Sequence, residues 1–378
     1  MAAMKRWIAN VAALSVGVTA SLVFVEVGLR VAGLNYPAFY TVDAVRGFAL
    51  RPGAQGEWTR EGRGEVRINR AGFRGRDVDQ SPAPRVLRIA VLGDSFTEAL
   101  QVDEQQSFVQ QLQERLASAD HCSLRRKDSA GVEVLNFGVG AYGTGQQLLT
   151  WRHLARRYRP DWVLLVVYPG NDFTDNEPIS RSDRPVFVLD AQNNLVVDQG
   201  FRQSAAYRWR MSLPGRALDG LVNHSRLLQL LNEAKNRWAS RVQPDQEQSQ
   251  SVRPQVPRTP VASDQAWRLT DHLIAALASE AQADQARFAV ISTSAPEQVW
   301  PIASERPSQP FAQEQRLGSL LAKRQIPYLP LAPDLQRQAD QAGLLLHGFK
   351  GQSPGEGHWN ANGHRLAADL IAPWLCQL

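Results

Sequence analysis

Four short segments of this chain carry side chains that could act together on one carbonyl. Gly93-Asp94-Ser95 follows the apolar run Val86-Leu87-Arg88-Ile89-Ala90-Val91-Leu92. Asn136-Phe137-Gly138-Val139-Gly140-Ala141-Tyr142-Gly143-Thr144 and Gly170-Asn171-Asp172 each follow another such run, and Glu356-Gly357-His358-Trp359-Asn360 lies near the carboxyl terminus. A serine hydroxyl is a weak nucleophile at neutral pH and needs a base to take its proton. His358 suits that task, because an imidazole titrates near neutrality. Glu356, two residues earlier, is the acid expected to hold the other ring nitrogen and steady the imidazolium. Attack on a carbonyl creates an oxyanion, for which the Ser95 amide, an amide of the glycine-rich turn and the Asn171 side chain are expected donors.

Other polar residues in these segments read as structural. Asp94 is expected to bond turn amides, Asn360 to cap the last helix, and His364 to sit inside that helix as a packing residue. Gly138 to Gly143 also fits a dinucleotide fingerprint. That reading wants an acid at the end of the next strand, but Asp161 precedes its strand, so no cofactor is expected. No Cys/His spacing suggests a metal.

The four segments meet only if the chain folds as an open α/β sheet, whose carboxyl edge gathers the loops that follow its strands. Val86–Leu92, 132–137 and 161–168 read as buried strands. Helices are expected over 103–119 and 146–157, and this alternation implies a doubly wound, flavodoxin-like parallel sheet with helices on both faces. The pattern breaks at 173: hairpin signals at 186–197 and a helix over 221–241 precede a Gln-, Pro- and Ser-rich stretch, 242–263, expected to be disordered. It resumes with a helix at 264–283, strands at 288–292 and 326–331, and helices at 311–323 and 363–375. The expected division is an anchor (1–34), a β-rich connecting segment with a hairpin around Glu61-Gly62-Arg63-Gly64 (35–84), a hydrolase-type domain in two parts (85–172 and 264–378) and an α+β insertion (173–263) over the carboxyl edge.

The chain has 378 residues, 43% of them hydrophobic, a formal net charge of +5 and a pI near 9.4. Its arginines are scattered, and no basic helix or zinc spacing stands out, so no nucleic-acid partner is expected. Lys5 and Arg6 precede a charge-free run from Trp7 to Val25. As a helix that run rises about 28 Å, close to the roughly 30 Å hydrocarbon core of a bilayer. Glu26 and Arg30 then fall at i,i+4 spacing, suited to pairing at the interface. Val18-Thr19-Ala20 also resembles a signal cleavage site. Because the apolar run continues past it, an uncleaved single-pass anchor is expected, with the body on the periplasmic or extracellular side of the inner membrane. Cys122 and Cys376 could pair in an exported domain or stay as two thiols.

Together the four segments resemble the GDSL/SGNH hydrolase superfamily, with Ser95 at the nucleophile, Asn171 at the oxyanion asparagine and His358 at the base. The span ending in Glu26-x-x-x-Arg30, and Ile68-Asn69-Arg70-Ala71-Gly72-Phe73-Arg74 before the serine strand, are similar to its membrane-anchored bacterial branch. The resemblance implies an esterase or O-acyltransferase acting through an acyl-Ser95 on an acylated envelope carbohydrate or another ester. A silent polysaccharide-binding protein and a lipase or thioesterase are the alternatives. Two positions depart from the pattern. Ala141 stands at the usual oxyanion glycine, where its N–H stays available if φ is negative. The usual aspartate three residues before the histidine is Gly355, which leaves Glu356 as the expected acid.

Overall fold

The computed structural model describes residues 2–119, 121–124, 129–177, 183–242, 262–349 and 355–378. The chain opens with helix α1 (Ala2–Val31), followed by the hairpins β1 (Tyr40–Asp43) with β2 (Gly47–Leu50) and β3 (Gln55–Trp58) with β4 (Gly64–Arg67). The α/β body begins with β5 (Val86–Leu92), α2 (Ser95–Glu98), α3 (Phe108–Ser118), β6 (Gly131–Asn136), α4 (Thr144–His153), β7 (Trp162–Val167) and α5 (Asp172–Asp175). The hairpin β8 (Val186–Leu189) with β9 (Leu195–Asp198) and the helices α6 (Ala205–Met211), α7 (Leu213–His224) and α8 (Arg226–Val242) interrupt it. The body then resumes with α9 (Asp264–Ala283), β10 (Arg287–Ser292), α10 (Ala312–Lys323), β11 (Tyr328–Pro330), α11 (Ala332–Ala342) and α12 (Ala361–Leu375).

The five strands of the body form one parallel sheet in the order β11-β10-β7-β5-β6. This is the doubly wound α/β architecture expected from the alternating pattern. Its strands are apolar on both faces because both are covered. On β5, Ile89 and Val91 face a cluster with Phe108, Leu112 and Leu116 of α3 and Ile371 of α12. Ala90 and Leu92 face the opposite cluster, with Leu148 and Trp151 of α4 and Leu273 of α9. A third, smaller core lies between the hairpins of residues 39–68 and the body: Phe39, Leu50, Val66 and Ile68 pack with Leu100, Val139 and Tyr142.

Three details depart from the sequence reading. The single helix expected over 221–241 is two helices, because Ser225 breaks the run and its Oγ accepts from the Leu228 amide at 3.3 Å. Helix α11 and hairpin β1–β2 were not expected. Of the stretch 242–263, residues 243–261 lie outside the described residues. The two cysteines pair: Cys122 is bonded to Cys376, 254 residues away, tying the end of α12 to the segment after α3. Met4–Val31 is the one helix among the described residues long and apolar enough to cross a bilayer, and none of its most apolar window is buried against the body. Length and composition alone suit either a span or a signal sequence.

Candidate active site

Ser95 is the first residue of α2, the short turn after β5, and is held there by Asp94. The buried Asp94 carboxylate accepts from the Phe96 amide at 2.9 Å as the cap of that turn. As the first amide of a helix, the Ser95 N–H has no intrahelical partner. Behind the turn, buried Arg74 donates to the carbonyls of Glu98 at 2.9 Å and Val102 at 2.7 Å. Asn69 folds the same segment, accepting from the Ala71 and Phe73 amides at 3.0 and 3.1 Å. The Ile68-to-Arg74 motif is thus a clamp on the backbone that follows the serine.

Ser95 Oγ lies 2.8 Å from His358 Nε2. The other ring nitrogen of His358, Nδ1, meets a carboxylate, but the carboxylate belongs to Glu61 and not to Glu356. Glu61 also accepts from the His358 backbone N–H at 2.7 Å. This corrects the acid assignment. Glu356 lies in the irregular approach to His358, partly exposed, while Glu61 enters from the turn between β3 and β4, with its own carbonyl bonded by Trp58 Nε1 at 3.0 Å. Gly357 makes the approach possible. Its φ is +74°, and a Cβ there would lie 2.2 Å from Glu61 Oε1. Gly62, in the same turn as Glu61, has φ +63° and abuts the Gln101 carbonyl, so both sides of the contact depend on glycine.

A carboxylate only accepts, so Nδ1 carries the ring hydrogen and Nε2 is left to accept from the Ser95 hydroxyl. Burial opposes charge on His358, but the Glu61 bond and charge, with Asp94 and Glu98 farther off, outweigh it and raise the His358 pKa above its ordinary 6.5. Burial likewise pushes the Glu61 carboxyl up, and its bonds and attraction to His358 more than reverse that, lowering it overall. Three further buried carboxyls lie under the site. Burial raises Glu98 to about 7 although it accepts from the Tyr40 hydroxyl at 2.7 Å. Burial also raises Asp94 and Asp172, and Asp94 pushes Asp172 up further. His347, missed in the sequence, holds the His358 loop: its Nδ1 is 2.7 Å from the Gly357 carbonyl and its Nε2 3.1 Å from Ser294 Oγ. Burial lowers its pKa to about 4 and keeps it neutral.

Ser95, Ala141, Asn171 and His358 border one cleft of about 750 Å³, together with Glu61, Tyr40, Phe48, Trp58 and Tyr168. Asn171 precedes α5, and its buried Oδ1 has no hydrogen-bond partner among the described residues. Ala141 is the third residue of a turn closed by the Tyr142 amide on the Val139 carbonyl at 3.2 Å, and its φ is +61°. The negative φ on which the Ala141 N–H was conditional is therefore not what the chain adopts. Buried Arg184, from the segment between α5 and β8, fixes the turn by donating to the Ala141 carbonyl. Two residues read as structural are so: Asn360 Oδ1 accepts from the Asn362 and Gly363 amides at the head of α12, and His364 Nδ1 accepts from the Phe108 amide at 3.3 Å.

An open parallel sheet that lines up a serine, a histidine and a glutamate at its carboxyl edge has the layout of a serine-hydrolase site. No family model and no curated protein matches the chain. Among solved structures it is similar to the acetyl-xylooligosaccharide esterase Axe2 of Geobacillus, with 10% identity over 76% of this chain and 94% of that one and a TM-score of 0.40. The lipase/acylhydrolase of Enterococcus faecalis shares 13% identity over 77% and 96%, with a TM-score of 0.38. TesA shares 14% over 76% and 97%, with a TM-score of 0.39.

Proposed function

We propose that this chain is a membrane-tethered serine ester hydrolase of the SGNH type, working through an acyl-Ser95 intermediate on an acylated envelope or extracellular carbohydrate. The observation that carries the reading is the unbroken line Ser95–His358–Glu61. In the first step His358 Nε2 takes the Ser95 proton as Oγ bonds to the ester carbonyl carbon. The imidazolium so formed is stabilised by Glu61. The oxyanion is met by the Ser95 amide and the Asn171 side chain, with Ala141 at the rim of the same pocket; losing one such donor costs about 10²–10³ in rate. The proton then passes from His358 to the departing alcohol oxygen as the C–O bond breaks, and water or a sugar hydroxyl takes the acyl group by the reverse sequence.

The carbohydrate assignment rests on the cleft, which Tyr40, Phe48, Trp58 and Tyr168 line together with the serine. The exported location rests on α1 as an uncleaved anchor and on the Cys122–Cys376 bond, which belongs to an oxidising compartment. We divide the chain into the anchor (1–34), a connecting segment that supplies the acid (35–84), and a hydrolase domain (85–172 and 264–378) interrupted by the insertion (173–263).

The test is intact-mass analysis of the full chain after treatment with a fluorophosphonate, with Ser95→Ala as control. One adduct on the parent and none on the variant is the expected result. An unmodified, folded parent would sink the hydrolase reading in favour of a silent binding protein. With an acetylated oligosaccharide and an excess of a different free sugar, acylation of the added sugar with total ester conserved would mark a transferase, and loss of ester to free acid a hydrolase.

A further inference from the structure

Helices α7 and α8 stand against the last turn of α1. Glu26 accepts from the Arg226 and Leu227 amides at 2.9 and 3.1 Å and from Ser225 Oγ at 3.0 Å, while Arg30 donates to the His224 carbonyl at 2.6 Å. Glu26 is the first charge after the apolar run of α1, so the α7–α8 corner sits at the level where that run ends.

Each helix binds the body by one polar edge. On α7, Asp219 pairs with Arg51 at 2.8 Å and Asn223 accepts from the Ala38 amide at 3.1 Å. On α8, Gln229 accepts from the Tyr36 amide at 3.2 Å and Glu233 from Thr59 Oγ1 at 3.3 Å. With 3.6 residues per turn, Leu221 and Leu231 lie roughly 180° and Trp238 roughly 160° around from those edges. All three are well exposed, at 59%, 56% and 66%. Lys235 shares their face on α8. Leucines and a tryptophan pointing outward from two adjacent helices, each more than half exposed, are the kind of apolar surface that marks a contact.

We infer that α7 and α8 form a foot that lies in the bilayer interface beside α1, with Leu221, Leu231 and Trp238 among the acyl chains and headgroups. The inference rests on the reading of α1 as a span. The occupant is a lipid surface because the corner between these helices is bonded to the base of the span at Glu26 and Arg30. The composition of their outer face, leucine with tryptophan and a flanking lysine, is that of interfacial helices. A single span leaves a domain free to swivel, and a second contact fixes the height and facing of the cleft.

The experiment uses the full chain in nanodiscs of phosphatidylethanolamine and phosphatidylglycerol. Cysteines replace Leu14, Leu221, Leu231, Trp238 or Ala83 one at a time, each carrying an environment-sensitive fluorophore. Ala83 lies in the loop before β5, at the opposite edge of the sheet. Spin-labelled lipid should quench the labels at 14, 221, 231 and 238 at least about twofold more than the label at 83. Quenching at 14, with 221, 231 and 238 as open to aqueous iodide as 83, would overturn the foot and leave the span standing. No lipid quenching at 14 would overturn both. Protection at 221, 231 and 238 that grows with the number of chains per disc, without lipid quenching, would assign the face to a second copy instead.

Discussion

Glu61 and Glu356 divide the question of the catalytic acid between two residues that can be changed singly. Glu61→Gln keeps the shape of the side chain but removes the charge on His358 Nδ1. It should lower kcat/KM by about 10²–10⁴. Glu356→Gln should stay within a few-fold of the parent, and a reversed ranking would restore the sequence-based assignment. The pH profile separates the roles further. His358 serves as a base only when neutral, and its pKa is raised above 6.5. Activity should therefore fall as pH drops through a midpoint above that value. Glu61→Gln removes the largest raising influence, so the residual activity should show a midpoint displaced to lower pH. An unmoved midpoint would assign the limb to another group, such as Glu98. Ser95, Asn171 and His358 were legible because each follows a strand or precedes a helix in a recognisable block. Glu61 was not, because it lies 297 residues from its partner inside what reads as an ordinary hairpin turn.

The elements that proved easiest to read were those whose environment is uniform. Strand β7, covered on both faces, is a continuous apolar run, β5 is apolar but for buried Arg88, and α9 spans the same residues in sequence and structure. Helix α11 was missed because only Ala332, Leu335 and Ala339 are buried and the rest of it is polar. Hairpin β1–β2 is four residues a side, which leaves little periodicity to detect. The turn at 139–142 is under local tension, since an alanine occupies a left-handed position that costs about 1–2 kcal/mol over glycine. Part of that is offset by the greater flexibility of glycine in the unfolded chain. Ala141→Gly should thus raise stability by about 0.5–1 kcal/mol, measured as an upward shift of the urea midpoint. A lower midpoint would mean that the Arg184 contact, and not the φ of +61°, dominates that turn.

At the scale of the molecule, the bond between Cys122 and Cys376 closes most of the α/β body into a loop. For a separation of 254 residues the chain-entropy model gives about 5 kcal/mol, an upper figure for what the bond adds. Cys122→Ser with Cys376→Ser should lower the melting temperature while leaving fluorophosphonate labelling of Ser95 intact at low temperature. Loss of labelling at every temperature would mean that the tie shapes the site as well. The order in which the site's parts are made has a further consequence. Glu61 is among the first residues to leave the ribosome, Ser95 follows, and His358 arrives 263 residues after the serine. A chain still being made has a nucleophile but no base to arm it. Ester cleavage is thus withheld until the segment before the last helix has been made and has closed onto the turn of hairpin β3–β4, and a product cut short before position 358 would be harmless to the esters around it.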